Sequence, residues 1–184
     1  MILPIYIYGQ PVLRKVAEDI TADYPGLTQL IADMYDTLDK TGGIGLAAPQ
    51  IGKAIRLVVI NLKELAEDYP EYADYKQTFI NAHILEYGEE KSSSDEGCLS
   101  LPGLSEKVVR PSKIHVQYLD EEMLPHDEWV DGYLATVMQH EFDHLEGKLY
   151  IDHISALRKQ LIKKKLQGML RGNFSCRYKF KAAK

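Results

Sequence analysis

Nine residues, Gln139–Gly147 (QHEFDHLEG), constrain this chain more than any other stretch. His140 and His144 stand four apart. On a helix both imidazoles then project from one face, about one turn apart, where they can grip one metal ion. Glu141 follows the first histidine and can reach a water at that ion without being a ligand. The pattern H-E-x-x-H carries this meaning only if the segment is helical. Its surroundings predict a helix over residues 133–146, with Leu134, Val137, Met138 and Leu145 on one side. Gly132 precedes it and Gly147 ends it. Two solvated histidines on an amphipathic helix would show the same spacing, so a third ligand has to decide.

Catalytic zinc-type sites take three protein ligands and leave a position for water. Thermolysin-like enzymes take a Glu from a following helix, but Glu146 and Asp152 lie too close to repeat that arrangement. Cys98, in Glu96-Gly97-Cys98-Leu99-Ser100, is the better candidate. A thiolate is a strong ligand for a divalent ion, and Gly97 allows close backbone approach. Taken alone, such a cysteine reads as a small buried hydrophobe. Cys98 and Cys176 are the chain's two cysteines and make no disulfide framework, so a reducing cytosol is the default. His83, His115, His126 and His153 lie outside any ligand spacing and read as surface or loop residues.

The remaining pattern predicts one α+β domain over residues 1–184, with a mainly antiparallel sheet around the H-E-x-x-H helix. Leu27, Leu30, Ile31, Met34, Tyr35 and Leu38 form a stripe along a helix from Pro25 to Lys40, with Pro25 in its first turn and Gly42-Gly43 as its stop. Residues 55–61 (IRLVVIN) read as a buried strand. Residues 78–81, 84–87, 106–110 and 113–119 read as short strands, Pro111 breaking the last two. The segment DEEMLPHDEW holds a turn and one more strand. Residues 62–76 are acidic, Tyr-rich and read as an exposed excursion. Ser155 caps a last helix whose stripe is Leu157, Leu161, Ile162, Leu166 and Met169. No apolar run approaches the roughly 20 residues needed to cross a bilayer, and the N-terminus lacks the pattern of a signal peptide.

Charge is divided unevenly. From Ser155 onward there are ten Lys/Arg and no Asp or Glu. The first 154 residues then hold the other twelve basic residues against all 27 acids. A basic tail suits an acidic partner such as nucleic acid, and equally a solvated face that balances an acidic body.

Residues 43–52 (GIGLAAPQIG) contain a G-x-G-x-x-A match to a dinucleotide fingerprint. That fingerprint needs a strand before the glycines and a helix after them. Here a helix precedes and a strand follows, so the match is fortuitous.

Three segments in order, GIGLAAPQ (43–50), EGCLS (96–100) and QHEFDHLEG (139–147), closely resemble the peptide deformylase family. YGQPVLRKVAEDI near the start and LYIDHISALRK near the end extend the resemblance over nearly the whole chain. Asn81-Ala82 departs from the family's frequent Asn-Pro, Asp95 from a frequent Glu, and residues 62–76 look like an insertion at the rim of the substrate groove. The resemblance implies that Cys98, His140 and His144 hold the metal, that Glu141 is the general base and acid, and that the Gln50 amide and the Leu99 backbone N–H stabilise the oxyanion. It implies Fe²⁺ as the physiological ion, with Zn²⁺, Ni²⁺ or Co²⁺ able to substitute. The implied substrate is the N-formyl-methionyl end of a new peptide, with formate released. Gly45 would let such a peptide lie close to its strand, and Ile44 and Val137 are candidates for the methionine pocket wall. For Val137 the competing reading is core packing. The physics agrees with the resemblance: a divalent ion can lower the pKa of water from about 15.7 to about 7, which a weakly electrophilic formamide requires.

The resemblance further implies a cytoplasmic, monomeric enzyme with no membrane contact, whose last helix docks on the ribosome. Two other readings compete. H-E-x-x-H alone would suit a zincin-type metallopeptidase, against which stand Cys98 and the Gln50 segment. The basic tail alone would suit a metal-storing or ribosome-binding module without catalysis.

Overall fold

The computed structural model describes residues 1–183. Lys184, one of the ten tail cations, lies outside the described residues. In chain order the elements are β1 (Ile5–Tyr6), α1 (Leu27–Thr41), β2 (Gly45–Ala47), β3 (Leu57–Asn61), β4 (Lys76–Tyr87), β5 (Lys91–Cys98), β6 (Leu101–Pro111), β7 (Lys113–Leu119), β8 (Pro125–Asp131), α2 (Gly132–Leu145), α3 (Ala156–Leu170) and β9 (Phe180–Lys181). Five strands make an antiparallel sheet in the order β2-β3-β4-β7-β8. β5 and β6 form a separate antiparallel hairpin, and β1 pairs with β9 in parallel. The class is α+β with mainly antiparallel sheets and a C-terminal helix, as the pattern predicts.

β3 explains how the core is divided. Successive side chains alternate across a strand. Val58 and Ile60 join Phe79, Val116 and the α2 residues Ala135, Met138, Phe142 and Leu145 in one apolar cluster. Leu57 and Val59 join Leu30, Met34 and Leu38 of α1 and Leu101, Leu104 and Val108 of β6 in the other. A strand buried on both faces must be apolar throughout, hence the unbroken run in the sequence. The Phe79 and Phe142 rings meet edge-on at 5.4 Å and lock α2 onto β4. Burying each such ring contributes about 1.5–3 kcal/mol.

Several expectations are corrected. α1 begins at Leu27, not Pro25: Gly26 precedes it in the left-handed conformation at φ 70°, so Pro25 lies in the turn before the helix. The two strands expected over 78–87 are one strand, β4, with register shifts after Ile80 and Ile84. Asn81 sits there at φ 53° and exchanges two 2.8 Å hydrogen bonds with the Ile20 backbone. Its bulge bends the strand without ending it. β6 is longer than residues 106–110, because Pro102 and Leu104 continue its inward alternation. β5 was not expected at all, since KSSSDEGC shows no apolar alternation.

The 62–76 segment is exposed only in part. Its acids face solvent, yet Leu65, Tyr72 and Tyr75 pack against the α2 cluster. The Leu134 N–H donates to the Tyr72 hydroxyl at 3.1 Å, and Tyr69 stacks on Tyr133 at 5.5 Å. The first turn of a helix has free N–H groups, and this insertion satisfies one of them.

Ser155 caps α3 by accepting the Arg158 N–H at 3.2 Å. The α3 stripe is narrower than expected: Ile162 and Met169 are buried, but Leu157 and Leu161 are 70% and 61% exposed. The helix rests on the body along the Ile162–Leu166–Met169 line, with Leu170 against Gly9 at its end. A fork-shaped ion pair supplements that narrow seam, with Arg158 Nε and a terminal nitrogen each 2.8 Å from the Glu106 carboxylate of β6. Hydrogen bonds from Arg158 hold the Glu106 carboxyl below its usual value of 4.5. A carboxyl depressed by folding stabilises above that value and stops doing so as pH falls through its lowered one. Glu106→Gln is therefore expected to lower Tm at pH 7 by roughly 2–4 °C, for about 1 kcal/mol. In thermal melts from pH 7 to pH 3 the gap to wild type should close; a gap independent of pH would contradict this role.

Candidate active site

Cys98 ends β5, and Leu99 and Ser100 turn the chain into β6, with Cys98 opposite Leu101. His140 and His144 lie on one face of α2, their rings 5.3 Å apart. The Cys98 sulfur is 3.5 Å from His144 Nε2. One donor atom from each of Cys98, His140 and His144 lies within 4.8 Å of the others. The fold thus brings together three residues separated by up to 46 positions. One soft thiolate and two imidazoles make a donor set suited to Zn²⁺ or Fe²⁺, and their convergence fits a single ion.

A buried charge network aims this set. Glu96 Oε1 lies 2.8 Å from His140 Nδ1, which leaves Nε2 for the Cys98 side. Arg110 donates to both Glu96 oxygens, at 2.7 and 2.9 Å, and to Asp143 Oδ2 at 2.9 Å. His153 Nε2 lies 2.7 Å from the same Asp143 oxygen. Burial raises the Glu96 and Asp143 carboxyls, but His140 and Arg110 for the first, and His153 and Arg110 for the second, outweigh it and hold both below the ordinary range. A carboxylate on the second nitrogen of a ligating histidine fixes its ring and tautomer. Sequence reasoning missed this network. Glu96 stood inside the EGCLS motif, and Arg110 occupies an inward position of β6, two residues after buried Val108. An inward charge in an apolar alternation was the available signal.

Glu141 is buried beside this cluster, and its Oε2 has no hydrogen-bond partner. Burial pushes its carboxyl up to about 7, against the pull of His140. Burial, then the charge of His140, brings His144 down to about 3, so it is neutral, as a ligand must be. On His140 burial is outweighed by Cys98 and Glu96, which hold its pKa well above normal.

Gly45 meets a neighbour that its sequence position does not reveal. A Cβ there would come within 2.5 Å of Glu141 Oε1 and 2.7 Å of its Cγ. The missing side chain first makes room for Glu141, ahead of any peptide. Gln50 is oriented by its own loop: its Oε1 accepts the Ala47 N–H at 2.8 Å. Its Nε2 then faces Cys98 Sγ and Ser100 Oγ, each at 3.4 Å. Ile44, Gly45, Gln50, Cys98, Leu99, Val137, His140 and Glu141 all line one cavity of about 600 Å³, while His144 lies behind it. Val137 is also a member of the α2 core cluster, as its packing reading expects. Cys176 and Tyr178 of the C-terminal segment, unassigned from sequence, line the same cavity.

The sequence signature described as polypeptide deformylase matches residues 2–160. The chain belongs to this family. It is 46% identical to the peptide deformylase of Flavobacterium johnsoniae, over all of this chain and 97% of that one. Among solved structures, a peptide deformylase from Plasmodium falciparum superposes with a TM-score of 0.82 at 34% identity, covering 91% of this chain and 95% of that one. The Thermotoga maritima peptide deformylase gives 0.75 at 37% identity, covering 84% and 99%. The chain is therefore an enzyme of the deformylase class, with a possible Cys/His/His metal site where the family is metal-dependent.

If Gly45 exists to admit Glu141, Gly45→Ala must displace that carboxylate. We expect kcat on formyl-Met-Ala-Ser to fall at least about tenfold, with metal content and circular dichroism unchanged. Undiminished kcat would show that Glu141 has other room.

Proposed function

We propose that this chain is a metal-dependent hydrolase that removes the formyl group from the N-terminal formyl-methionine of newly made peptides and releases formate, with residues 1–184 acting as a single catalytic domain. The observation that carries this reading is the unpartnered Glu141 carboxylate buried beside three convergent donors, at the wall of a peptide-sized cavity.

Cys98, His140 and His144 would hold the ion. A divalent ion bound there supplies Lewis-acid chemistry, polarising the formyl oxygen and acidifying water. Glu141 takes the proton of the attacking water and returns it to the leaving amine, a task that suits a carboxyl raised by burial. The developing oxyanion accepts hydrogen bonds from Gln50 Nε2 and the Leu99 N–H. Gln50 is suited to this because its Oε1 is committed to the Ala47 N–H, which aims the donor end toward Cys98 and Ser100. The amide donates without adding a charge. Ile44 and Val137 offer apolar surface to the methionine side chain, and an extended peptide would run beside β2.

The family resemblance favours Fe²⁺, with Zn²⁺, Ni²⁺ or Co²⁺ able to substitute. Such a ferrous–thiolate site would be prone to oxidative loss. The zincin-type reading draws no support beyond H-E-x-x-H itself: the third donor here is a thiolate from β5. None of the helices among the described residues is long and apolar enough to cross a membrane; the reading of a monomer working in the cytoplasm rests on the family resemblance. Exposed Lys159, Lys163, Lys164, Leu157 and Leu161 on α3 support docking of this helix on the ribosome.

Anaerobically prepared protein should release formate from formyl-Met-Ala-Ser and leave internal bonds intact. Glu141→Ala should keep its metal and lose about 10²–10⁴-fold in kcat. Cleavage of internal bonds without formate would reject the deformylase, and formate release by Glu141→Ala at the wild-type rate would reject the role of Glu141.

A further inference from the structure

The hairpin tip that carries Cys98 is held from outside by both ends of the chain. Leu99 and Ser100 are the two turn residues between β5 and β6. The Ser100 carbonyl accepts the Tyr8 N–H at 2.8 Å. The Leu99 carbonyl accepts the hydroxyl of Tyr178, 79 residues away in sequence, at 2.7 Å. These two partners are joined to each other through the β1–β9 pair. Ile5 N–H donates to Lys179 O and Ile7 N–H to Lys181 O, both at 2.9 Å. Gln10 Nε2 donates to Ala182 O at 2.6 Å, and the Phe174 and Phe180 rings meet edge-on at 4.9 Å. The segment after α3 is thus tied down along its length, with Tyr178 facing the cavity. It also lies beyond residue 160, where the family signature ends.

We propose that Tyr178 is a positioning residue for the reaction: by holding the Leu99 carbonyl it steadies the turn that presents the Leu99 N–H, one of the two oxyanion donors. This rests on the deformylase reading above. The Leu99 N–H lies in the Cys98–Leu99 peptide plane and the Leu99 carbonyl in the Leu99–Ser100 plane, two rigid planes that meet at the Leu99 Cα. At Leu99 the preceding residue is fixed by the β5–β6 register. The Tyr8 bond fixes only the peptide after Ser100. The Tyr178 bond holds the Leu99–Ser100 plane, and so limits how far the Leu99 Cα, and the donor plane that ends there, can swing within the turn. A donor loosened by a fraction of an ångström loses part of its value in the transition state and little in the ground state.

Tyr178→Phe removes the hydroxyl and leaves the ring in place. Wild type and variant, both metal-loaded, are compared for kcat and KM on formyl-Met-Ala-Ser, for metal content and for Tm. The expected result is a fall in kcat of about five- to tenfold, less than the loss of a whole oxyanion donor. KM should stay within about twofold, metal content should be unchanged and Tm should move by less than about 3 °C. A kcat within twofold of wild type would overturn the inference, as would a fall matched by lost metal or a collapsed Tm, which marks a merely structural contact. Absence of formate from the wild type would instead overturn the deformylase reading, and this inference with it.

Discussion

The site depends on a buried chain of polar contacts running Asp143–Arg110–Glu96–His140, with exposed His153 on Asp143 at its outer end. Arg110 stands on β6, Glu96 on β5, and Asp143 and His140 on α2. Apolar packing holds α2 against the sheet but is non-directional and would tolerate a small rotation of the helix. The guanidinium fork tolerates little, because it meets carboxylates in a fixed plane. Removing one partner from such a network strands a charge at a cost of about 3–5 kcal/mol. The same contacts that join the hairpin to the helix also set the tautomer and direction of His140. Stability and chemistry are in this sense one arrangement.

Around that network the fold places each functional group by a local device. Gly45 yields its side-chain volume to Glu141. The short helical turn over Ala48–Ile51 returns the Gln50 carbonyl to its own Ala47 N–H, leaving the amide nitrogen on the cavity side. A two-residue turn presents Cys98 and Leu99 at the end of a hairpin, where the chain's two ends hold it. Two of these devices use residues far apart in sequence, and all of them converge on one cavity.

That distinction separates what was legible in the sequence from what was not. α2 could be read within a residue at each end, because its spacing, its preceding Gly132 and its closing Gly147 are local signals. β7 was read over its full length for the same reason. The α3 cap at Ser155 was legible, but its buried face was not: Leu157 and Leu161 fit the period, yet the body reaches only as far as Ile162, Leu166 and Met169. β5 escaped because its polar side chains pack on nothing apolar and its strand exists through its pairing with β6. Among the site residues, those in compact motifs were named, while Arg110, Asp143 and Tyr178 act through partners that only the tertiary fold supplies. At Gly45 the glycine is legible in the sequence, but its neighbour Glu141, 96 residues away, is supplied by the tertiary fold.

The central claim is that this network brings Cys98, His140 and His144 to a single divalent ion. X-ray absorption at the metal edge of anaerobically prepared protein reads that directly. The account predicts one sulfur and two imidazole nitrogens among the nearest donors, one from each of these residues. A donor shell of nitrogen and oxygen alone, with no sulfur, would contradict it.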